Sequence, residues 1–172
     1  SVKDIADTAG VSVGTFYRRF KDKESLLPLL YQDFGHDLMA WVSDVESEEY
    51  SNLHDALVQM VNATYVFLLE KESLFRTLHL NSRLHSEILT SDKVVSRDVV
   101  YQKLSAILLR FDNVITAVNH SQASDISIYM LINTLLDKVL YPGLTPATAC
   151  SLTAAEFTNE LPEVLFAYLA KS

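Results

Sequence analysis

The chain has 172 residues, of which 49% are hydrophobic, so it can bury the core of one or two domains. Its formal net charge is −8, but residues 1–24 hold five basic and four acidic side chains, which leaves the excess of acids to the remainder. A polyanion such as DNA is therefore repelled by most of the chain and accepted only at the amino-terminal end.

Residues 1–30 have the spacing of a helix, a tight turn, a second short helix and the start of a third. Ser1 is a candidate N-cap that forms a capping-box-like pair with Asp4, and Ser12 is a candidate N-cap for the second helix. Gly10 stands where the first helix should stop and the backbone needs a positive φ.

The second helix has two different sides. Phe16 and Phe20 lie on one of them. The polar residues of the other side and of the turn after it are Thr15, Tyr17, Arg18, Arg19, Lys21 and Lys23. Two helices joined in this way, the second rich in hydrogen-bonding and cationic side chains, predict a helix-turn-helix that binds DNA. The alternative is a plain helical hairpin with a solvated basic face.

The motif itself resembles the DNA-binding segment of TetR-family transcriptional regulators. The residues that carry the resemblance are Ile5, Ala6, Gly10, Val11, Ser12, Gly14, Thr15, Phe16, Tyr17, Phe20, Lys23, Leu26 and Leu27. It implies an all-α fold with a helix-turn-helix domain over 1–30 and a helical ligand-binding and dimerisation domain over 31–172. Family members carry a further helix before the motif, so we expect the first helix to be missing and the chain to be trimmed at its amino terminus.

The resemblance also implies the DNA contacts, which are Lys3, Val13, Gly14, Thr15, Tyr17, Arg18, Arg19 and Lys23. Thr15 and Lys23 match phosphate-contacting positions. Lys3 matches a position at the start of the first motif helix that often reaches DNA. Val13, Gly14, Tyr17 and Arg18 match groove-facing positions. Arg19 falls where an aromatic residue or histidine is frequent, which leaves its role open.

Helical spacing continues beyond the motif, since there are only four glycines and four prolines and no sustained alternation typical of strands. The predicted helices run from 22 or 25 to 45, from 53 to about 71, from about 92 to 118 and from 124 or 125 to 139. Residues 73–89 are predicted to form one bent helix or two, and a last helix follows the loop 141–150. The apolar residues in the second half of the 53–71 helix go all the way round, which predicts a buried central helix.

The body of the chain has two candidate surfaces. Aromatic side chains with polar tips favour an inter-helix pocket, and the residues proposed to bind a small, mainly apolar ligand are Tyr65, Phe75, His79 and Tyr101. Each of these is alternatively an ordinary core residue. The apolar stripes of the last two helices predict a homodimer interface formed by Ile128, Ile132, Leu135, Leu136, Val139, Phe157, Leu161, Leu165 and Tyr168. Deeper burial within one subunit is the alternative.

Signs of catalysis or metal binding are absent from the sequence. The five histidines lack ligand spacing, no Gly-rich loop follows a strand, and Cys150 has no basic neighbour in sequence. We therefore expect no enzyme, no metal and no cofactor. A single cysteine and the lack of about 18 consecutive apolar residues predict a cytoplasmic protein with no membrane contact.

These features together predict a TetR-like, DNA-binding transcriptional regulator. The expected mechanism is repression at a double-stranded operator, relieved by a small-molecule inducer that changes the spacing of two recognition helices. The alternative is a helical ligand- or protein-binding module whose helix-turn-helix no longer binds DNA.

Overall fold

The computed structural model describes residues 1–84 and 97–170, and over these residues it contains eight α-helices and no strand. The helices are α1 Val2–Thr8, α2 Val13–Arg19, α3 Leu27–Ser47, α4 Leu53–Glu70, α5 Glu72–Leu84, α6 Arg97–Leu108, α7 His120–Leu140 and α8 Ala154–Leu169. Short 3-10 turns lie at Glu24–Leu26, Leu109–Phe111 and Ala147–Ala149. The all-α prediction is confirmed.

Side-chain caps determine where several helices begin. Ser1 and Asp4 form the predicted capping box of α1, and Thr153 and Glu156 form a second one at α8. The hydroxyl and backbone N–H of Thr153 both donate to the Glu156 carboxylate, at 2.8 Å each. These bonds, the one from the backbone above all, lower the pKa of Glu156 because they favour its charged form.

The sequence allows α3 to be capped by Asp22 or by Ser25. The Asp22 carboxylate accepts from the backbone N–H of Ser25 at 2.9 Å and from its hydroxyl at 2.6 Å, and the 3-10 turn follows. Helix α3 then begins at Leu27, so Pro28 lies in its first turn, where the missing N–H costs little.

Two helix boundaries differ from those predicted. Helix α7 begins at His120 rather than at 124 or 125, because the Asn119 side chain accepts from the Gln122 backbone N–H at 3.0 Å and caps the helix earlier. Helix α6 ends at Leu108 rather than near 118. The segment after it turns back, and its Thr116 N–H donates to the carbonyl of Leu169 at 2.8 Å. The predicted start of α6 at 92 and the end of the 73–89 segment lie outside the described residues.

Packing divides the chain into two units. The first unit contains Ser1–Asp37 and the described residues from Leu78 to Leu84, and the second contains Leu38–Thr77 and the described residues from Arg97 onward. The predicted domain boundary between residues 30 and 31 falls inside the continuous helix α3. The packing units do not show which residues bind DNA or a ligand, so the functional boundary between residues 30 and 31 stays a prediction.

The core of the second unit is built on α4, which contacts α6, α7 and α8. Its fully buried large side chains from these four helices are Leu53, Leu57, Met60, Leu104, Ile107, Leu108, Ile128, Leu131, Leu135, Leu140, Leu165 and Leu169. Helix α4 is the central helix of this core, as predicted, but its second half is not buried on every side. Val66 and Leu69 are about half exposed, at 50% and 47%, because the neighbouring helices cover only the side that carries Phe67 and Leu68.

A buried lysine that sequence reasoning missed joins α7 to the loop before α8. Lys138 is only 7% exposed, and its ammonium group donates to the carbonyls of Ala147, Cys150 and Leu152 at 2.7–2.8 Å. It also lies 5.8 Å from the centre of the Phe157 ring. The three carbonyls use all three ammonium donors, which is what allows the charge to be buried.

We expect Lys138→Met to lower the free energy of unfolding by about 2–4 kcal/mol, because it removes three charge-assisted hydrogen bonds and leaves the carbonyls unsatisfied. The measurement is urea unfolding followed by circular dichroism. The matched control is Lys103→Met, which removes a half-exposed ion pair with Glu46 and should cost less than about 1 kcal/mol. Equal losses in the two variants would contradict the role given to Lys138.

Candidate DNA-binding site

The turn between α1 and α2 is closed by backbone hydrogen bonds. The N–H of Gly10 donates to the carbonyl of Asp7 at 3.2 Å, and that of Val11 donates to the carbonyl of Ala6 at 3.0 Å. Gly10 has a φ of +65°, as its position predicted. The chain then restarts at Ser12, whose hydroxyl accepts from the Thr15 N–H at 3.1 Å.

The inner face of α2 is fixed by aromatic packing. Phe16 is 5% exposed, and Ala6 on the adjoining α1 is fully buried. The Phe16 ring lies 5.3 Å from that of Phe20 and meets Tyr17 edge-on at 5.5 Å. With Phe16 held inside, the orientation of α2 about its axis is set, and so is the choice of residues on its outer face.

The outer face carries most of the predicted DNA contacts. Thr15 is half-buried, and the other seven are exposed: Lys3, Val13, Gly14, Tyr17, Arg18, Arg19 and Lys23. The Tyr17 side chain is 56% exposed. The first unit thus presents a surface of aromatic, small and cationic residues together. That these residues contact DNA stays a prediction.

A short chain of hydrogen bonds runs along α2. The hydroxyl oxygens of Ser12 and Thr15 lie 2.9 Å apart, and the Arg18 guanidinium donates to Thr15 Oγ1 at 3.0 Å. The remaining guanidinium donors of Arg18 have no protein partner among the described residues, and the side chain is exposed. Arg18 is therefore oriented by one bond while its other donors stay available to an acceptor such as a phosphate or a guanine edge.

Two acidic residues near this surface, Asp22 and Glu24, interact with residues close to them in sequence. The hydroxyl of Ser25, followed by its backbone N–H, lowers the pKa of Asp22 by stabilising its charged form. Lys23 lies 3.7 Å from the Glu24 carboxylate in an exposed contact, which contributes little in water. Arg18 and Arg19 occupy the last turn of α2, where cations also suit the helix dipole.

These features define a helix-turn-helix: α1 packs through buried Ala6, Gly10 makes a tight turn, and α2 has an exposed basic side. Residues 1–30 match the family model described as bacterial regulatory proteins, tetR family. The resemblance is thereby confirmed over these thirty residues, and the match supports a DNA-binding regulator of the TetR type. No curated protein matches the chain.

The four predicted ligand contacts are dispersed over the two units. His79 lies in the first unit, whereas Tyr65, Phe75 and Tyr101 lie in the second. Phe75 meets the Phe67 ring edge-on at 5.6 Å, and the Tyr101 hydroxyl accepts from the Asn133 side chain at 3.1 Å. All four are half-buried. These contacts do not test ligand binding, so this set stays a prediction.

The predicted dimer residues differ in burial. Five of them lie within the chain's own core: Ile128, Leu135, Val139, Leu161 and Leu165. Ile132, Leu136 and Phe157 are half-buried, and Tyr168 is 37% exposed. One helical stripe of apolar residues looks the same in sequence whether it faces its own core or a partner, so the set stays a prediction.

The exposed apolar residues of the last two helices are mostly different ones. Helix α7 exposes Ile126 and, three and four residues further on, Tyr129 and Met130. Helix α8 exposes Val164 and Tyr168. Of these, only Tyr168 was predicted. Several exposed apolar side chains on two contacting helices indicate a candidate interaction surface. This surface can be recognised only when the burial of each side chain is known.

The described residues contain no group of three or more His, Cys, Asp or Glu side chains placed to hold a metal ion. Cys150 is exposed. His54 and Glu163 form a pair at 2.6 Å on the surface of the second unit, with His54 edge-on to Phe166. Over the same part of the chain, no helix combines the length and the apolar character needed to cross a bilayer.

We expect Gly10→Ala and Gly14→Ala to have opposite effects on stability. No atom lies within 4 Å of an added Cβ at Gly10, so its cost is the positive φ alone, about 1–2 kcal/mol. At Gly14 the added Cβ meets only Ser12 Oγ, at 3.8 Å, and the gain in helix propensity is up to about 1 kcal/mol. Thermal unfolding of both variants measures the difference. A Gly10→Ala variant as stable as Gly14→Ala would contradict it.

Proposed function

We propose that the chain is a transcriptional repressor that binds a palindromic operator as a homodimer and is released by a small, mainly apolar inducer. The observation that carries the DNA-binding part is the exposed face of α2, held outward by buried Phe16. Residues 1–30 are proposed as the DNA-binding domain, and 31–172 as the ligand-binding and dimerisation domain.

In the proposed complex, α2 enters the major groove, which is wide enough to admit a helix. Val13, Gly14 and Tyr17 face the bases, and Gly14 allows close approach because it has no side chain. Arg18 meets a phosphate or a guanine edge with the guanidinium donors that Thr15 leaves available.

Phosphate contacts supply the affinity that does not depend on sequence. Lys3, Thr15 and Lys23 are proposed for this role, and Arg19 is the remaining cation of the surface. Their basic charge is concentrated in a chain of net charge −8, so the DNA is drawn to the helix-turn-helix and repelled elsewhere.

The proposed homodimer uses the exposed faces of α7 and α8. A palindromic operator places two half-sites about 34–36 Å apart on one face of the duplex, which requires two recognition helices related by a two-fold axis. Exposed Ile126, Tyr129 and Met130 on α7 and Val164 and Tyr168 on α8 are apolar surface that a second copy would remove from water.

Release of the operator follows from linkage. An inducer bound near the proposed residues Tyr65, Phe75, His79 and Tyr101 favours one conformation of the body, and α3 continues without a break from residue 27 to 47. If that conformation separates the two recognition helices by the wrong distance, the inducer weakens DNA binding. DNA then weakens inducer binding by the same factor.

Arg18→Ala is expected to weaken operator binding, measured by fluorescence anisotropy of labelled duplexes over a range of salt concentrations. If Arg18 meets phosphate, affinity falls equally for all sequences and the salt slope decreases by about one unit. If it meets guanine, about 1–3 kcal/mol of discrimination at one base pair is lost.

The control for Arg18 is Arg76→Ala, since Arg76 is an exposed arginine of the body paired with Glu72 at 2.6 Å. It should leave both affinity and salt slope unchanged. A wild-type chain that binds no duplex even at low salt would instead favour the alternative, a ligand- or protein-binding module that has lost DNA binding.

Val164→Asp is expected to convert the dimer to a folded monomer, because it places charge in the proposed interface without disturbing the protomer core. Val164 is 54% exposed in the protomer. The matched control is Val118→Asp, at a fully exposed valine in the turn before α7, which should leave the dimer intact. Sedimentation at micromolar concentration distinguishes the two states, and a monomeric wild-type chain would refute the dimer.

A further inference from the structure

An open groove of ≈ 490 Å³ lies within the second unit, between the carboxyl-terminal half of α3 and α4. Its apolar lining comes from Trp41 and Val45 on α3 and from Ala63, Val66 and Phe67 on α4. Small-molecule sites in proteins have volumes of roughly 300–1,000 Å³, so the groove is of a suitable size for one.

The apolar part of the groove is held in a fixed arrangement. The rings of Trp41 and Phe67 are stacked with centroids 5.0 Å apart and planes 10° apart, and Phe75 supports Phe67 edge-on. Phe67 is buried, whereas Val66 is half exposed. The aromatic side chains that line the groove are therefore held in place before any ligand arrives, and a ligand need not order them.

The charge of the groove is of one sign. Asp44, Glu48 and Glu70 line it, and no Lys, Arg or His does. Two cations reach this end of α3, and neither engages these carboxylates. The Arg110 guanidinium donates to the backbone carbonyls of Glu46 and Glu48, at 2.7 and 3.5 Å, and Lys103 pairs with the carboxylate of Glu46 at 2.7 Å. Within the described ranges no ion pair or hydrogen bond engages the three carboxylates.

Tyr50 lines one end of the groove, and its pKa reflects the burial and charge there. Its hydroxyl donates to the carbonyl of Val45 at 2.6 Å. Burial and the negative charge of Glu48 raise its pKa, while Arg110 acts in the opposite direction. The end of the groove that holds Tyr50 is thus both partly desolvated and negative in character.

We propose that this groove binds a small organic cation with apolar or aromatic groups. Aromatic faces attract cations through their quadrupole, and three carboxylates without a cationic partner supply the matching charge. A second copy of the chain fits less well, because a two-fold contact would place the same acidic rim against itself. None of the four predicted inducer contacts lines the groove, although Phe75 packs against Phe67, which does.

The experiment uses two ions of nearly the same shape and opposite charge, tetraphenylphosphonium and tetraphenylborate. Trp41 is the only tryptophan in the chain, so its emission reports the groove directly. We expect saturable quenching by tetraphenylphosphonium and at least tenfold weaker binding of tetraphenylborate. The double variant Asp44→Asn with Glu70→Gln should bind the cation at least tenfold more weakly, with an unchanged unfolding midpoint.

Two further variants complete the test. Asp112→Asn removes an exposed carboxylate outside the groove and should leave cation binding unchanged. Val66→Arg places a cation in the groove at a half-exposed position and should abolish binding without unfolding the chain. Equal affinity for the two ions, or no effect of the double variant, would overturn the proposal. Dissociation of a dimer by Val66→Arg would also overturn it, by showing that a second copy occupies the groove.

Discussion

The burial of α4 against three other helices is the constraint on which the larger unit depends. Leu57, Met60 and Val61 are almost completely removed from water, and burying a side chain of this kind contributes about 1.5–3 kcal/mol. Contacts with α6, α7 and α8 cover one side of α4 only. The side left over, with Val66 half exposed, forms part of the groove. The groove thus exists because α6, α7 and α8 cover only one side of α4.

The helix-turn-helix depends on interactions of a different kind. Its caps at Ser1 and Ser12, its turn at Gly10 and its anchor at Phe16 all join residues close in sequence. Local interactions of this type favour one structure for the segment, in agreement with its place in the fold. The exposed basic face of α2 is therefore determined within residues 1–30, and this is also the stretch that the family model matches.

Two ligand positions follow from different observations. The residues proposed for an inducer rest on the family resemblance, whereas the groove rests on its aromatic lining and unpaired carboxylates. Trp41 and Val45 belong to α3, the helix that begins at Leu27 shortly after α2. A cation bound against them would contact the same continuous helix that follows the DNA-binding segment. Cation binding and DNA binding could then be coupled through α3.

The sequence by itself determined the helical class, most helix starts and the helix-turn-helix, because caps, glycine turns and apolar spacing act over a few residues. It did not determine how deeply the apolar residues of α7 are buried: Leu135 is fully buried, whereas Ile132 and Leu136 of the same predicted stripe are half-buried. Nor did it reveal Lys138, whose carbonyl partners lie nine to fourteen residues further on. Only the tertiary structure decided these, because burial and the charge of a groove depend on which helices come together, and helical periodicity carries no information about that partner.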